Sequence, residues 1–142
     1  MSKKISVALA QVTQRKFTDN LTEYAQEIEN VLGPSSGIQM VVHPELHLFG
    51  SDMSADALQD IAQSLDSKFV GELGEIAKRF GIWLIPGSIV EPAPNGGVYN
   101  TALVFNPAGE LVSFYRKIFP WRPSEPFTMG SEFSVFELPG LG

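Results

Sequence analysis

The chain has 142 residues, enough for one domain, and a domain of that size removes roughly 70% of its unfolded surface from water without needing staples. Apolar residues make up 44% and charged ones 18%, a globular balance rather than a disordered one. The net charge of -6 argues against a nucleic-acid partner, since the densest basic clusters are the pairs Lys3-Lys4 and Arg116-Lys117. No apolar run approaches the roughly 18 residues of a spanning helix, and Met1-Ser2-Lys3-Lys4 leads into a strand-like segment rather than a signal peptide. A cytosolic protein without membrane contact is the expectation. The chain contains no cysteine, which removes disulfides, thiolate metal sites and cysteine nucleophiles from it.

Ile5 to Val12 carries apolar residues on both sides and reads as a central strand covered on both faces. Thr18-Asp19-Asn20 offers N-cap oxygens, with Glu23 in capping-box spacing from Asn20. The helix that follows buries Leu21, Tyr24, Ala25, Ile28, Val31 and Leu32, and Gly33-Pro34 stops it before a turn over Ser35 to Gly37. Met40-Val41-Val42 is a short buried strand that Pro44 interrupts, leaving Glu45 at its C-terminal end, where α/β proteins place their chemistry. After a loop through Gly50 and Ser51, Ala55 to Leu65 and Ser67 to Phe80 read as helices, the second ending at Gly81.

Ile82 to Ile85 and Ser88 to Val90 form a strand bent at Pro86-Gly87. Pro94-Asn95-Gly96-Gly97 turns it into an antiparallel strand over Tyr99 to Asn106, and Pro107-Ala108-Gly109 turns that into Leu111 to Tyr115. The pattern of strand, helix, strand, two helices and a meander gives an α/β fold with a mixed sheet. Ser134 to Gly142 reads as a strand entering a turn, so the chain has the look of a single domain over residues 1–142 cut at its C-terminal side.

Two candidate charges lie in Tyr115-Arg116-Lys117-Ile118-Phe119-Pro120-Trp121-Arg122-Pro123-Ser124-Glu125. Pro120 and Pro123 fix their own φ and push Phe119 and Arg122 to extended conformations, so Lys117 and Glu125 read as positioned groups. The plainer alternatives are a solvated strand-end Glu45, a surface Lys117 and a rim Glu125 beside Arg122. A buried ammonium needs carboxylate partners to stay charged, and glutamates converging on Lys117 would supply them. His43, Glu45 and His47 alternate along the chain as zinc ligands on a strand face would, but Pro44 breaks the strand and no third histidine exists. No metal or other cofactor is therefore expected, and a metal-dependent hydrolase using His43 and His47 is the weakest reading. Gly96-Gly97 is a hairpin turn rather than a phosphate loop, because no helix follows it.

The ordered set Val7-Ala8-Leu9-Ala10-Gln11, Val41-Val42-His43-Pro44-Glu45-Leu46, Tyr99-Asn100-Thr101-Ala102 with its Asn-Pro-Ala-Gly turn, and Tyr115-Arg116-Lys117 resembles the carbon-nitrogen hydrolase (nitrilase) superfamily. Lys-Ile-Phe-Pro-Trp-Arg-Pro-Ser-Glu is most similar to its aliphatic amidase and formamidase branch. The resemblance implies part of a four-layer αββα sandwich, a mixed sheet with helices on one face, and homo-oligomeric association. It also implies hydrolysis of a small amide or nitrile by a Glu-Lys-Cys mechanism. Glu45 would then be the general base, Lys117 would stabilise the oxyanion, and Glu125 would orient the lysine and the substrate amide. The family's cysteine belongs a few tens of residues beyond the lysine, so the resemblance covers an N-terminal half lacking its nucleophile. The rival to a divided enzyme is a non-catalytic binding module of the same fold.

Overall fold

The computed structural model describes residues 4–34, 37–50 and 54–139. Nine elements follow in chain order: β1 (Val7–Leu9), α1 (Thr22–Leu32), β2 (Met40–Val42), α2 (Ala55–Asp60), α3 (Lys68–Phe80), β3 (Trp83–Ile85), β4 (Ser88–Pro92), β5 (Val98–Phe105) and β6 (Leu111–Arg116). The six strands among the described residues form one mixed sheet. Helical crossovers make β1, β2 and β3 parallel neighbours, while tight turns bring β5 antiparallel to β3, β4 and β6. The bend at Pro86-Gly87 leaves β3 and β4 as two pieces of one path along the same edge of β5, with Leu84 opposite Phe105 and Ser88 opposite Ala102.

Register sets the faces. Ala8, Val41, Leu84 and Phe105 lie side by side across four strands, and they pack into one core with Tyr24 and Ile28 of α1 and Val70, Leu73 and Ala77 of α3. The next row, Leu9, Val42 and Ile85, points to the opposite face, because successive strand residues alternate. That face is open at its edge, where Leu9 is 77% exposed. The fold is thus α/β, with the helices packed on one face of the sheet. Helix α3 comes closest to the sheet at Gly74, where a Cβ would overlap the Gly109 carbonyl of the β5–β6 turn.

Several boundaries differ from the sequence expectations. Strand β1 is an edge strand of three residues rather than a central one, since no strand among the described residues pairs beyond it and Val7 and Leu9 are exposed. Asn20 does not cap α1: its Oδ1 accepts from Thr22 N at 2.9 Å in a local turn, the N-cap position falls to Leu21 without a side-chain bond, and Glu23 pairs with Arg15 instead. Helix α2 ends at Asp60, five residues early, because Gln63 N donates to Val90 O at 2.8 Å and draws the chain onto the sheet. Helix α3 matches its caps, with Ser67 Oγ accepting from Val70 N and Gly81 in the left-handed region. Residues 134–139 form no strand: they cross the open face, where Phe136 stacks on Trp83 and Ser134 bonds Ser113. The remainder of that expected strand, residues 140–142, lies outside the described residues, as do Ser35, Ser36 and Ser51 of the expected turn and loop.

Candidate active site

Parallel pairing carries β2 one residue past its last strand position, where His43 N donates to Ile85 O at 2.9 Å. The chain then turns sharply. Leu46 takes φ of 52°, a left-handed conformation that a branched residue adopts only when its surroundings hold it. Two contacts do so: Ser88 Oγ accepts from Leu46 N at 3.0 Å, and His47 N donates to Pro44 O at 3.2 Å. Gly87, at φ of 90°, lies directly against this turn, and a Cβ there would overlap the Pro44 carbonyl oxygen. Gly87→Ala should therefore unseat the turn that presents Glu45 and cost on the order of 1–3 kcal/mol. Urea unfolding measures the loss, and an unchanged midpoint would contradict it.

Lys117 arrives from the other side of the same cavity. Its N–H donates to Asn100 O at 2.9 Å and its carbonyl accepts from Gly130 N at 2.9 Å, so the backbone is held on both sides just beyond β6. The ammonium Nζ lies 2.9 Å from Glu45 Oε1 and 2.9 Å from the Glu125 carboxylate. Burial alone would lower the Lys117 pKa, but the hydrogen bonds it donates to Glu125 and Glu45 outweigh it and hold the ammonium above its ordinary value. Glu125 is fixed in turn, accepting from Trp121 N at 2.7 Å. Burial raises its carboxyl pKa, whereas Lys117 and that backbone bond pull it below the usual range. All three side chains meet, and Glu125 faces Lys117 rather than Arg122. The cavity beside them measures about 420 Å³ and is walled by Ile85, Asn100, Ala102, Tyr115 and Phe119, on the sheet face opposite the helices.

Three residues here escaped the sequence reading. Asn100 Nδ2 donates to Glu45 Oε1 at 2.6 Å and is buried, signalled only as an amide inside an otherwise apolar strand. Glu91 stands two residues after buried Ile89, on the core face, and a charge there requires a partner. It receives Thr101 Oγ1 at 2.7 Å and Arg116 Nε and a terminal nitrogen at 2.8 and 2.6 Å. Glu27 lies beside the apolar stripe of α1 and reaches His43 and His47, its Oε1 standing 3.0 and 2.8 Å from their Nε2 atoms. The histidines thus meet Glu27, not Glu45, in line with the expectation that Pro44 breaks the alternation of a strand face: the turn after Pro44 sends Glu45 into the cavity and both imidazoles to Glu27 of α1. Arg15 bonds the far oxygen of Glu27 at 2.7 Å.

Burial lowers the pKa of His43 to about 4, with the His47 charge adding to the effect, and burial also lowers that of His47. Both folded values lie below the unfolded 6.5, so this contribution is complete above pH 6.5 and is lost as pH falls. For His43 the loss approaches about 3 kcal/mol by pH 4. Urea unfolding at stepped pH reads it, and stability that is flat across this interval would contradict it.

With the geometry in view, comparison with known proteins is direct. The carbon-nitrogen hydrolase family profile matches residues 6–141. A formamidase of Helicobacter acinonychis is 34% identical over 126 residues, covering 84% of this chain and 36% of its own. Human omega-amidase NIT2 is 32% identical over 139 residues, covering 88% and 49%. Among solved structures, Saccharomyces cerevisiae Nit3, a member of branch 10 of the nitrilase superfamily, superposes with a TM-score of 0.77 at 26% identity, over 93% of this chain and 52% of that one. The chain therefore spans between about a third and a half of the relatives it matches. No described helix is long and apolar enough to cross a membrane. A profile match over nearly every residue, with a sheet that superposes on a nitrilase-superfamily structure, establishes that the chain belongs to the carbon-nitrogen hydrolase family.

Proposed function

We propose that this chain supplies the base and oxyanion-stabilising half of an amidase-type hydrolase acting on small non-peptide C–N bonds. The observation that carries the reading is one ammonium, Lys117, shared at 2.9 Å by Glu45 and Glu125 at the wall of a cavity of about 420 Å³. A site of that size takes a small ligand. Glu45 would accept the proton of a thiol, and the thiolate would add to the amide carbonyl carbon. Lys117 would stabilise the oxyanion that forms, and the nitrogen would leave carrying the proton that Glu45 returns. Glu125 would hold Lys117 charged and aimed. The thiol must come from outside these 142 residues, which contain no cysteine. In this reading the chain forms half of an αββα sandwich, and a second sheet packs on the open face that exposes Leu9, Phe133 and Val135.

The absence of cysteine favours a second reading, a binding module that keeps the cavity without the reaction. Two measurements separate them. The coding sequence beyond codon 142 either continues into a strand ending in cysteine, as hydrolysis requires, or stops. The polypeptide carrying that cysteine is then assayed for ammonia release from formamide, short aliphatic amides and nitriles. Release abolished by Glu45→Gln supports the hydrolase. A folded, cysteine-bearing polypeptide that releases none overturns it.

A further inference from the structure

Behind the Glu45 turn lies a second cluster that the hydrolase reading leaves unused. His43 Nε2 and His47 Nε2 converge on Glu27 Oε1, and the three donor atoms lie within 4.8 Å of one another. The rings stack at a centroid distance of 4.9 Å and an interplanar angle of 22°. We propose that Glu27, His43 and His47 bind one divalent transition metal, with Zn2+ the best match to two imidazoles and a carboxylate.

Three observations support the assignment. First, a tetrahedral zinc with bonds of about 2.0–2.1 Å separates its ligands by roughly 3.3 Å, and the two Glu27–imidazole separations of 2.8 and 3.0 Å are near that value, with all three donor atoms within 4.8 Å of one another. Second, His43 Nε2, on a side chain with no exposed surface, lies 3.0 Å from Glu27 Oε1 but without an aligned hydrogen bond. A poorly aligned contact between buried polar atoms is costly, and a metal between them would replace it. Third, the opposite nitrogen, His43 Nδ1, lies 3.2 Å from Tyr24 Oη. That hydroxyl can accept a hydrogen bond from Nδ1–H and leave the Nε2 lone pair free, the outer-partner arrangement that orients metal-bound histidines.

The charges facing the cluster are Arg15, which bonds Glu27 at 2.7 Å, and Glu23, which pairs with Arg15 at 3.1 Å. Arg15 opposes a cation, but it engages Glu27 Oε2 and leaves Oε1 to the imidazoles. With three protein ligands, the fourth position of a zinc would be open to water. His43 and His47 stand on either side of Pro44-Glu45-Leu46, so a bound metal would tie α1 to both ends of the turn that presents Glu45. The site uses none of the side chains assigned to the hydrolase and stands or falls separately.

The chain has only two histidines, so imidazole NMR reports on this pair without mutation. The 142-residue protein, purified without a tag and stripped with a chelator, is titrated with Zn2+. One equivalent is expected to shift the ring resonances of both histidines together and to raise the unfolding midpoint. Co2+ in its place should give the visible absorption of a four-coordinate complex. His47→Ala and Glu27→Gln should each weaken binding by at least ~10-fold. Ring resonances unmoved by excess Zn2+, movement of one ring alone, or equal affinity in folded variants would overturn the assignment. The titration of the unmutated protein decides it even if the variants fail to fold.

Discussion

Replacing Arg116 by methionine is expected to destabilise the chain by about 3 kcal/mol, at the low end of what removing one partner of a buried ion pair costs. The reason is the carboxylate left behind. Glu91 is only 5% exposed, and after the substitution it keeps, among the described residues, the side-chain bond from Thr101 Oγ1 at 2.7 Å. Methionine keeps an unbranched apolar side chain beside Tyr99 and Phe114, over whose rings the guanidinium sits at 4.8 and 5.1 Å, so the loss reads mainly the charge, including its contact with those rings. The low end applies because the Arg116 side chain is itself 36% exposed and water screens part of the pair. The Glu91→Leu and Arg116→Met double variant should recover most of the stability, since a buried pair replaced by apolar side chains is often neutral or stabilising. Urea unfolding of the four proteins gives the cycle. A single-variant loss below about 1 kcal/mol would mean that solvent already screens Glu91. The same pair anchors the end of β6 one residue before Lys117, which makes it the sheet's support for the cavity wall.

What could be read in advance follows from the range of each signal. Helix α3 was legible because its start at Ser67, its apolar positions Phe69, Val70, Leu73, Ile76, Ala77 and Phe80, and its stop at Gly81 all lie within one local window. The bent strand at Pro86-Gly87 and the turn at Asn95-Gly96 were legible for the same reason. The meeting of Glu45 and Lys117 was accessible only through the family resemblance, which places both charges at strand ends around one pocket. Glu27 was not, because it approaches the histidines from a helix 16 residues earlier than His43, and alternation along a strand says nothing about what packs across it. Asn20 and Glu23 had capping spacing, yet Asn20 Oδ1 accepts from Thr22 N in a local turn and Glu23 pairs with Arg15. The misread edge strand at Val7–Leu9 has the same origin, since an apolar strand looks identical whether its second face is covered by its own chain or left open.

In the hydrolase proposed above, Lys117→Met is expected to lower kcat by about 10²- to 10³-fold or more, the cost of removing one oxyanion donor. The fold should change little, because the Lys117 backbone is held by Asn100 O and Gly130 N independently of its side chain. Two effects combine. The developing oxyanion loses its cation, and Glu45 and Glu125, now without the ammonium that each held at 2.9 Å, face one another across an uncompensated gap. The second effect can be seen without turnover. In the 142-residue chain the Lys117 bond helps hold the Glu125 carboxyl below its ordinary range, so its pKa should rise in the variant, although Trp121 N continues to donate to it. The sign for stability follows: the contribution of Glu125 is present above its ordinary value of 4.5 and is lost as pH falls through the lower folded value. Lys117→Met should flatten that acid limb. Carboxyl-carbon NMR of Glu125 checks the shift, and kcat of the cysteine-bearing polypeptide checks the reaction. Lys117→Arg discriminates further: its guanidinium keeps a charge but presents a planar fork in place of a point donor, so recovery of the acid limb without recovery of kcat would assign the lysine to the oxyanion. Full recovery of both would reduce Lys117 to a structural cation.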